Sequence, residues 1–184
     1  TDGGHEAWGP LRRHQLNYVP PSGEGTWSAT PPAFAPPLLP WWGDVRPFAL
    51  PSATTCPAPP IPAYSEVPGS AFYKEAEEVY RISNQATQAQ RQVALYWADD
   101  PLKTPTPAGH WAFIAGDLLQ QRQGNLALAA QTYVQLNLAM ADAFIAGWKT
   151  KYTVNLLRPV TYVQLVLDSN WVPSLMHTPP FPEY

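Results

Sequence analysis

Proline is spread very unevenly along this chain, and its distribution decides where helix can form. Most of the 23 prolines fall before residue 70, in runs such as Pro20-Pro21-Ser22-Gly23, Pro31-Pro32, Pro36-Pro37, Pro40-Trp41-Trp42-Gly43 and Pro57-Ala58-Pro59-Pro60. Each proline fixes its own φ, removes a backbone donor and biases the preceding residue away from helical geometry. Regular elements therefore do not fit there. The stretch is also not a disordered tail, because Trp8, Tyr18, Trp27, Phe34, Trp41, Trp42, Phe48 and Tyr64 run through it, and disordered segments are poor in aromatics. Residues 1–69 read as an extended arm packed on the protein's own helices. A proline-rich ligand for a recognition domain is the alternative that this composition offers.

From Ser70 the pattern turns helical. Ser70 suits an N-cap, and Phe72, Ala76, Val79 and Ile82 mark one face. Thr87-Gln88-Ala89-Gln90 has capping-box form and opens a second helix through Val93, Tyr96 and Trp97, which stops before Pro101. A third starts at Thr106-Pro107, as a cap followed by proline in the first turn. It carries Trp111, Ile114, Ala115, Leu118 and Leu119 on one stripe and ends at Gly124. The fourth opens at Asn125 and is expected to run to about Leu157; apolar on most of its circumference, it reads as the central helix of a bundle. A shorter fifth follows Pro159 with Val160, Val163 and Leu167, and a loop begins at Trp171. With no convincing strand and no repeat, the fold class is all-α.

At the end of the fourth helix pattern lie Lys151 and Arg158, seven residues apart. On one continuing helix they would sit within about 20° of each other, while Pro159 disfavours helical geometry at Arg158, so the helix ends or kinks there. A fixed pair of cations on an apolar scaffold suits a tetrahedral oxyanion, with arginine as a planar fork and lysine as a mobile point charge. On spacing alone the plainer reading is two solvated cations that complement the helix dipole.

Other features narrow the function classes. A net charge of −3 gives no reason to expect nucleic acid. The apolar run from Leu126 to Trp148 is broken by Gln131, Gln135, Asn137 and Asp142, which reads as a buried helix rather than a membrane span. The lone Cys56 has no partner for an internal disulfide and no neighbouring His or cation to activate a thiol. His5, His14, His110 and His177 show no metal-ligand spacing. Asp142 needs a donor or a cation if it is buried, in a structural role. The Lys74-Glu75-Ala76-Glu77-Glu78 cluster reads as a solvated face.

Taken together, Ala141-Asp142-Ala143, Trp148, Lys151, Arg158-Pro159, Trp171-Val172-Pro173 and Thr178-Pro179-Pro180-Phe181-Pro182-Glu183-Tyr184 resemble the vanadium-dependent haloperoxidases. Their superfamily also holds the type 2 phosphatidic acid phosphatases and bacterial acid phosphatases. Lys151 to Pro159 meets the first superfamily signature, Lys, six residues, Arg-Pro. Phe181-Pro182-Glu183-Tyr184 is the approach to the second, Pro-Ser-Gly-His, and the third, Ser-Arg followed by His, would lie farther on. The resemblance is clear over residues 70–184 and looser over the arm.

The resemblance implies the N-terminal portion of a helical bundle that holds one oxyanion. Vanadate is the implied cofactor, with phosphate as a substitute, and Lys151 and Arg158 match the family's oxyanion-binding positions. Hydrogen peroxide and halide are the implied substrates: Lys151 polarises the activated peroxide, and halide oxidation gives hypohalous acid. Trp148, Phe181 and Pro179 match positions near the halide. His110 is either structural or a supporting residue behind the site, and His177 is a loop residue near the entrance. The direct ligand to the metal, a histidine, and the second arginine are expected from a C-terminal portion of the same protein, present as a second chain. Without that portion the cations are expected to be buried unpaired. Self-association is the other partnership this implies, and a secreted or periplasmic location is expected. Two rival functions remain: an acid phosphatase of the same superfamily, and a non-catalytic structural or binding subunit.

Overall fold

The structure, a computed structural model, describes residues 18–100, 103–175 and 178–183. Its regular elements are α1 (Ala71–Gln85), α2 (Gln88–Tyr96), α3 (Thr106–Gln121), α4 (Leu126–Val154) and the short α5 (Pro159–Tyr162), which continues into a π-helical turn over Val163–Leu167. A 3₁₀ turn spans Trp42–Asp44. Among the described residues β-structure is limited to two isolated antiparallel bridges, Thr26 with Leu156 and Leu156 with Glu183. The all-α class holds.

Local signals set the helix starts. The Ser70 hydroxyl accepts the Tyr73 N–H. Thr87 and Gln90 form both halves of a capping box, and Asn125 accepts the Leu128 N–H at the head of α4. At α3 the N-cap place falls to Pro105 rather than Thr106, which enters the helix at φ 66°. The Gly124 N–H closes that helix on the Leu119 carbonyl at 2.8 Å.

Tertiary packing corrects two expectations. On α1 the inward face runs Phe72, Ala76, Tyr80, Ser83, while Val79 and Ile82 are exposed. The Tyr80 hydroxyl donates to Asp168, and the Trp171 indole donates to Ser83, so polar partners across the interface turn the helix away from its most apolar stripe. Phe72 and Ala76 join Leu157 and Tyr162 in one core cluster, and Val160, Val163 and Trp171 form another. The core thus sits between α1 and α5. Although α4 is the longest helix, it buries only Asp142 and Ile145 fully and leaves Leu126, Leu128 and Val134 exposed. It is not enclosed on all sides: among the described helices α3 packs along it, joined by the 3₁₀ turn and by the extended chain around Leu38 and Phe48–Leu50.

Residues 18–69 run over the helices without regular structure beyond the 3₁₀ turn. Trp27 is buried, and Tyr64 stacks edge-on against Phe72 and Tyr162. The 3₁₀ turn lies so close to α4 that a Cβ on Gly43 would come within 2.5 Å of the Lys149 backbone. Asp142 is fully buried, and its donors are the backbone N–H groups of Phe48, Ala49 and Leu50 at 2.6, 2.7 and 2.8 Å. The Lys74-to-Glu78 charges are exposed, around a buried Ala76.

Candidate oxyanion site

The last two turns of α4 carry Trp148, Lys151 and Tyr152, and the helix stops at Val154, short of the expected Leu157. Asn155 ends it in the left-handed conformation, φ 53° and ψ 40°, which asparagine tolerates better than most residues. Lys151 and Arg158 are therefore not brought together by helical phase. Instead the chain beyond Asn155 runs between two extended segments. Leu157 donates to the Gly25 carbonyl, Trp27 donates to the Asn155 carbonyl, and Glu183 donates to the Leu156 carbonyl at 2.9 Å. Arg158 is extended, as the following proline requires, with φ −76° and ψ 148°. The bridge between Leu156 and Glu183 lays the Phe181-Pro182-Glu183 segment beside both cations.

The two cations converge on one carboxylate. Arg158 Nη1 lies 3.0 Å from Glu183 Oε2, and Lys151 Nζ lies 3.5 Å from Glu183 Oε1. Both cations also sit 5.3 Å from the centroid of the Phe181 ring, within cation–π range. Trp148 packs against Phe181 with ring centroids 5.0 Å apart, and its indole N–H donates to the Leu38 carbonyl. The Tyr152 hydroxyl donates to the same carbonyl at 2.7 Å. Pro179 is exposed, and its carbonyl accepts the Phe181 N–H, which turns the chain just before the ring.

Burial sets the electrostatics. Desolvation pushes the Lys151 ammonium below the usual lysine range and the neighbouring guanidinium pushes the same way, while Glu183 opposes both. Desolvation likewise lowers Arg158, again opposed by Glu183. The cations are neither solvated nor, as expected for this portion by itself, buried unpaired, because Glu183 compensates them.

His110 has different surroundings. Its Nδ1 faces both oxygens of the buried Asp99 at 2.9 and 3.0 Å, and its ring stacks on Trp97 and meets Tyr96 edge-on. Its described contacts do not include Lys151, Arg158 or Phe181. His177 lies outside the described residues, as do His5, His14, Trp8 and Tyr184.

No protein-family model matches the chain, and no curated protein does. Among solved structures it matches the crystal structure described as the first bacterial vanadium-dependent iodoperoxidase, with a TM-score of 0.85 and 37% identity. The chain belongs to the vanadium-dependent haloperoxidase family. The match covers 94% of this chain and 44% of that one, so the chain spans less than half the length of its structural neighbour.

Two features of this chain bear on whether it fits vanadate. Lys151 and Arg158 already hold two oxygens of one anionic group, and Arg158 Nε is buried with no hydrogen-bond partner. Strong donors converging on oxygen, one of them unspent, fit an oxyanion. Beside Trp148 an apolar groove of about 440 Å³ opens, walled by Leu38, Leu39, Trp42, Met140 and Phe144.

The sequence reading missed Glu183 and Asn155 as site residues. Glu183 stood in plain view inside the family's Phe-Pro-x-Tyr approach, at a position the pattern leaves open. Asn155 stood inside the six-residue gap, where its side-chain amide is buried without a partner and its backbone ends α4. Asparagine followed by an apolar pair is a recognisable left-handed helix stop.

Proposed function

We propose that the chain forms the cation-bearing part of a vanadium haloperoxidase site, at which hydrogen peroxide oxidises halide to hypohalous acid. The observation that carries this reading is the convergence of Lys151 and Arg158, from different segments, on the oxygens of one anionic group against the Phe181 ring. Vanadate, when bound, would supply the Lewis acid that activates peroxide. Lys151 and Arg158 would hold its oxygens. Lys151, a mobile cation with donors to spare, would polarise the activated peroxide and stabilise the negative charge that develops as its O–O bond breaks. Trp148 and Phe181 would form an apolar wall that strips water from a soft halide, with Pro179 setting the turn that presents the ring. His110, held by Asp99 and stacked on Trp97, is proposed as a structural residue. The remaining ligands, the metal's own nitrogen ligand among them, would come from a further C-terminal portion of the same protein. The same reading carries the expectation of a secreted or periplasmic enzyme, to be checked by fractionating the producing cells.

The same two cations suit a phosphoryl group equally, which keeps an acid phosphatase as the second reading. One experiment separates them. The protein is assayed for bromide and iodide oxidation by hydrogen peroxide, and for hydrolysis of an aryl phosphate, with and without orthovanadate. Halide oxidation that appears only with vanadate is the expected result. Phosphate-ester hydrolysis inhibited by vanadate, with no halide oxidation, would overturn the haloperoxidase reading.

A further inference from the structure

We infer that Glu183 is an internal counter-ion that occupies the oxyanion position between Lys151 and Arg158, and that its side chain swings out when a tetrahedral oxyanion binds. This rests on the reading of Lys151 and Arg158 as an oxyanion site.

Three observations carry it. First, the carboxylate is a two-oxygen anion bridging the two cations that would grip phosphate or vanadate, with one oxygen toward each. A tetrahedral anion offering the same oxygens would compete for the same donors. Second, the grip is uneven. The Arg158 contact is 3.0 Å, but Lys151 reaches both Glu183 and the Pro182 carbonyl only at 3.5 Å. That is the far limit of a hydrogen bond, so the carboxylate compensates charge without saturating the donors. Arg158 Nε also stays unpaired and buried.

Third, the backbone and side chain of Glu183 are held differently. Its N–H is pinned to the Leu156 carbonyl at 2.9 Å in a bridge, and Pro182 before it is fully buried. Its side chain is 29% exposed, against 12% for Arg158. Rotation about the side-chain bonds can therefore move the carboxylate toward solvent while the segment that carries Phe181 stays in place. Two half-buried cations with no anion between them would repel each other and lack the compensation that desolvation demands. The carboxylate keeps them in position until the ligand takes over that charge.

The test is a titration with inorganic phosphate, read by calorimetry on the full chain. Glu183→Gln keeps the shape and removes the competing charge, and is expected to tighten phosphate binding by about fivefold or more, as removal of a partly exposed charge contact implies. Lys151→Ala serves as the control and is expected to abolish the binding. Unchanged or weaker phosphate binding in Glu183→Gln would overturn the counter-ion role. If Lys151→Ala binds as well as the native chain, the oxyanion site itself fails, which is a separate result. Should Glu183→Gln fold poorly, the native protein answers the question by carbon-13 NMR of its glutamate carboxyls. Saturation with phosphate is expected to shift the Glu183 resonance toward that of a solvated carboxylate, and a resonance unmoved at saturation would overturn the proposal.

Discussion

At the scale of single residues, Lys151 and Arg158 share one carboxylate but are not equivalent. Lys151 is a point charge on a flexible stem held by two long contacts, free to follow charge that develops during a reaction. Arg158 is a planar fork, held at 3.0 Å and braced over Phe181. Lys151→Ala is therefore expected to lower vanadate-dependent halide turnover by about 100-fold or more, the usual loss when a preorganised donor to a developing anion is removed. Arg158→Lys keeps the charge and loses the fork. It is expected to cost about tenfold, mostly in vanadate affinity. Steady-state kinetics at saturating vanadate separate the two effects. Native turnover in both variants would mean that the motif match is accidental, and loss in Arg158→Lys larger than in Lys151→Ala would reverse the assigned roles.

Among elements, the junction between the extended chain and α4 depends on Asp142. Its carboxylate accepts three consecutive backbone N–H groups from Phe48, Ala49 and Leu50, and the Phe48 bond does most to hold it below the usual carboxylate range, against the opposing cost of burial. A depressed folded-state pKa means that the unfolded chain takes up the proton first. The stabilisation is thus complete above the ordinary carboxylate range, near pH 4, and is lost as pH falls through the lower folded value. Asp142→Asn is expected to lower the thermal midpoint at pH 7 and to flatten its fall below pH 4. Parallel acid limbs for the native and variant proteins would show that Asp142 does not couple to folding.

The 3₁₀ turn also lies close against α4. Gly43→Ala would force a Cβ to within 2.5 Å of the Lys149 backbone, an overpacking expected to cost about 1–3 kcal/mol in a denaturant titration. A neutral substitution would mean that the turn can lift away. Elements also show what the sequence reveals and what it hides. Ser70, Thr87 and Asn125 mark helix starts that need only neighbours in sequence, so they are legible. The inward face of α1 depends on Asp168 and Trp171, far along the chain, and the apolar stripe of Val79 and Ile82 points elsewhere. The cation motif is legible as a pattern, but the Glu183 pairing is not, because it requires the bridge that sets Glu183 against Leu156.

At the scale of the whole molecule, the core lies between α1 and α5, while α3 and α4 leave large apolar side chains exposed. Phe113 is 65% exposed and Leu126 is 85% exposed, and Trp111, Leu118 and Val134 are exposed on the same two helices. A single exposed apolar residue is ordinary, but several large ones on two packed helices suit helices that something covers. More than half of the structural neighbour's length lies outside its match to this chain, and the proposed source of cover is the corresponding portion of this protein. Native mass spectrometry is expected to show the 20.3 kDa chain inside a larger complex, and denaturation is expected to release a second polypeptide carrying the Pro-Ser-Gly-His signature. Phe113→Glu should loosen that complex, because a charge would be buried without a partner, and should weaken phosphate binding along with it, because the departing segment is the proposed source of the remaining oxyanion ligands. A complex that releases only 20.3 kDa chains on denaturation would assign the uncovered face to self-association. A 20.3 kDa species under native conditions at every concentration would mean that these helices stand exposed in water, and the proposal of a site shared with a second segment would fall with it.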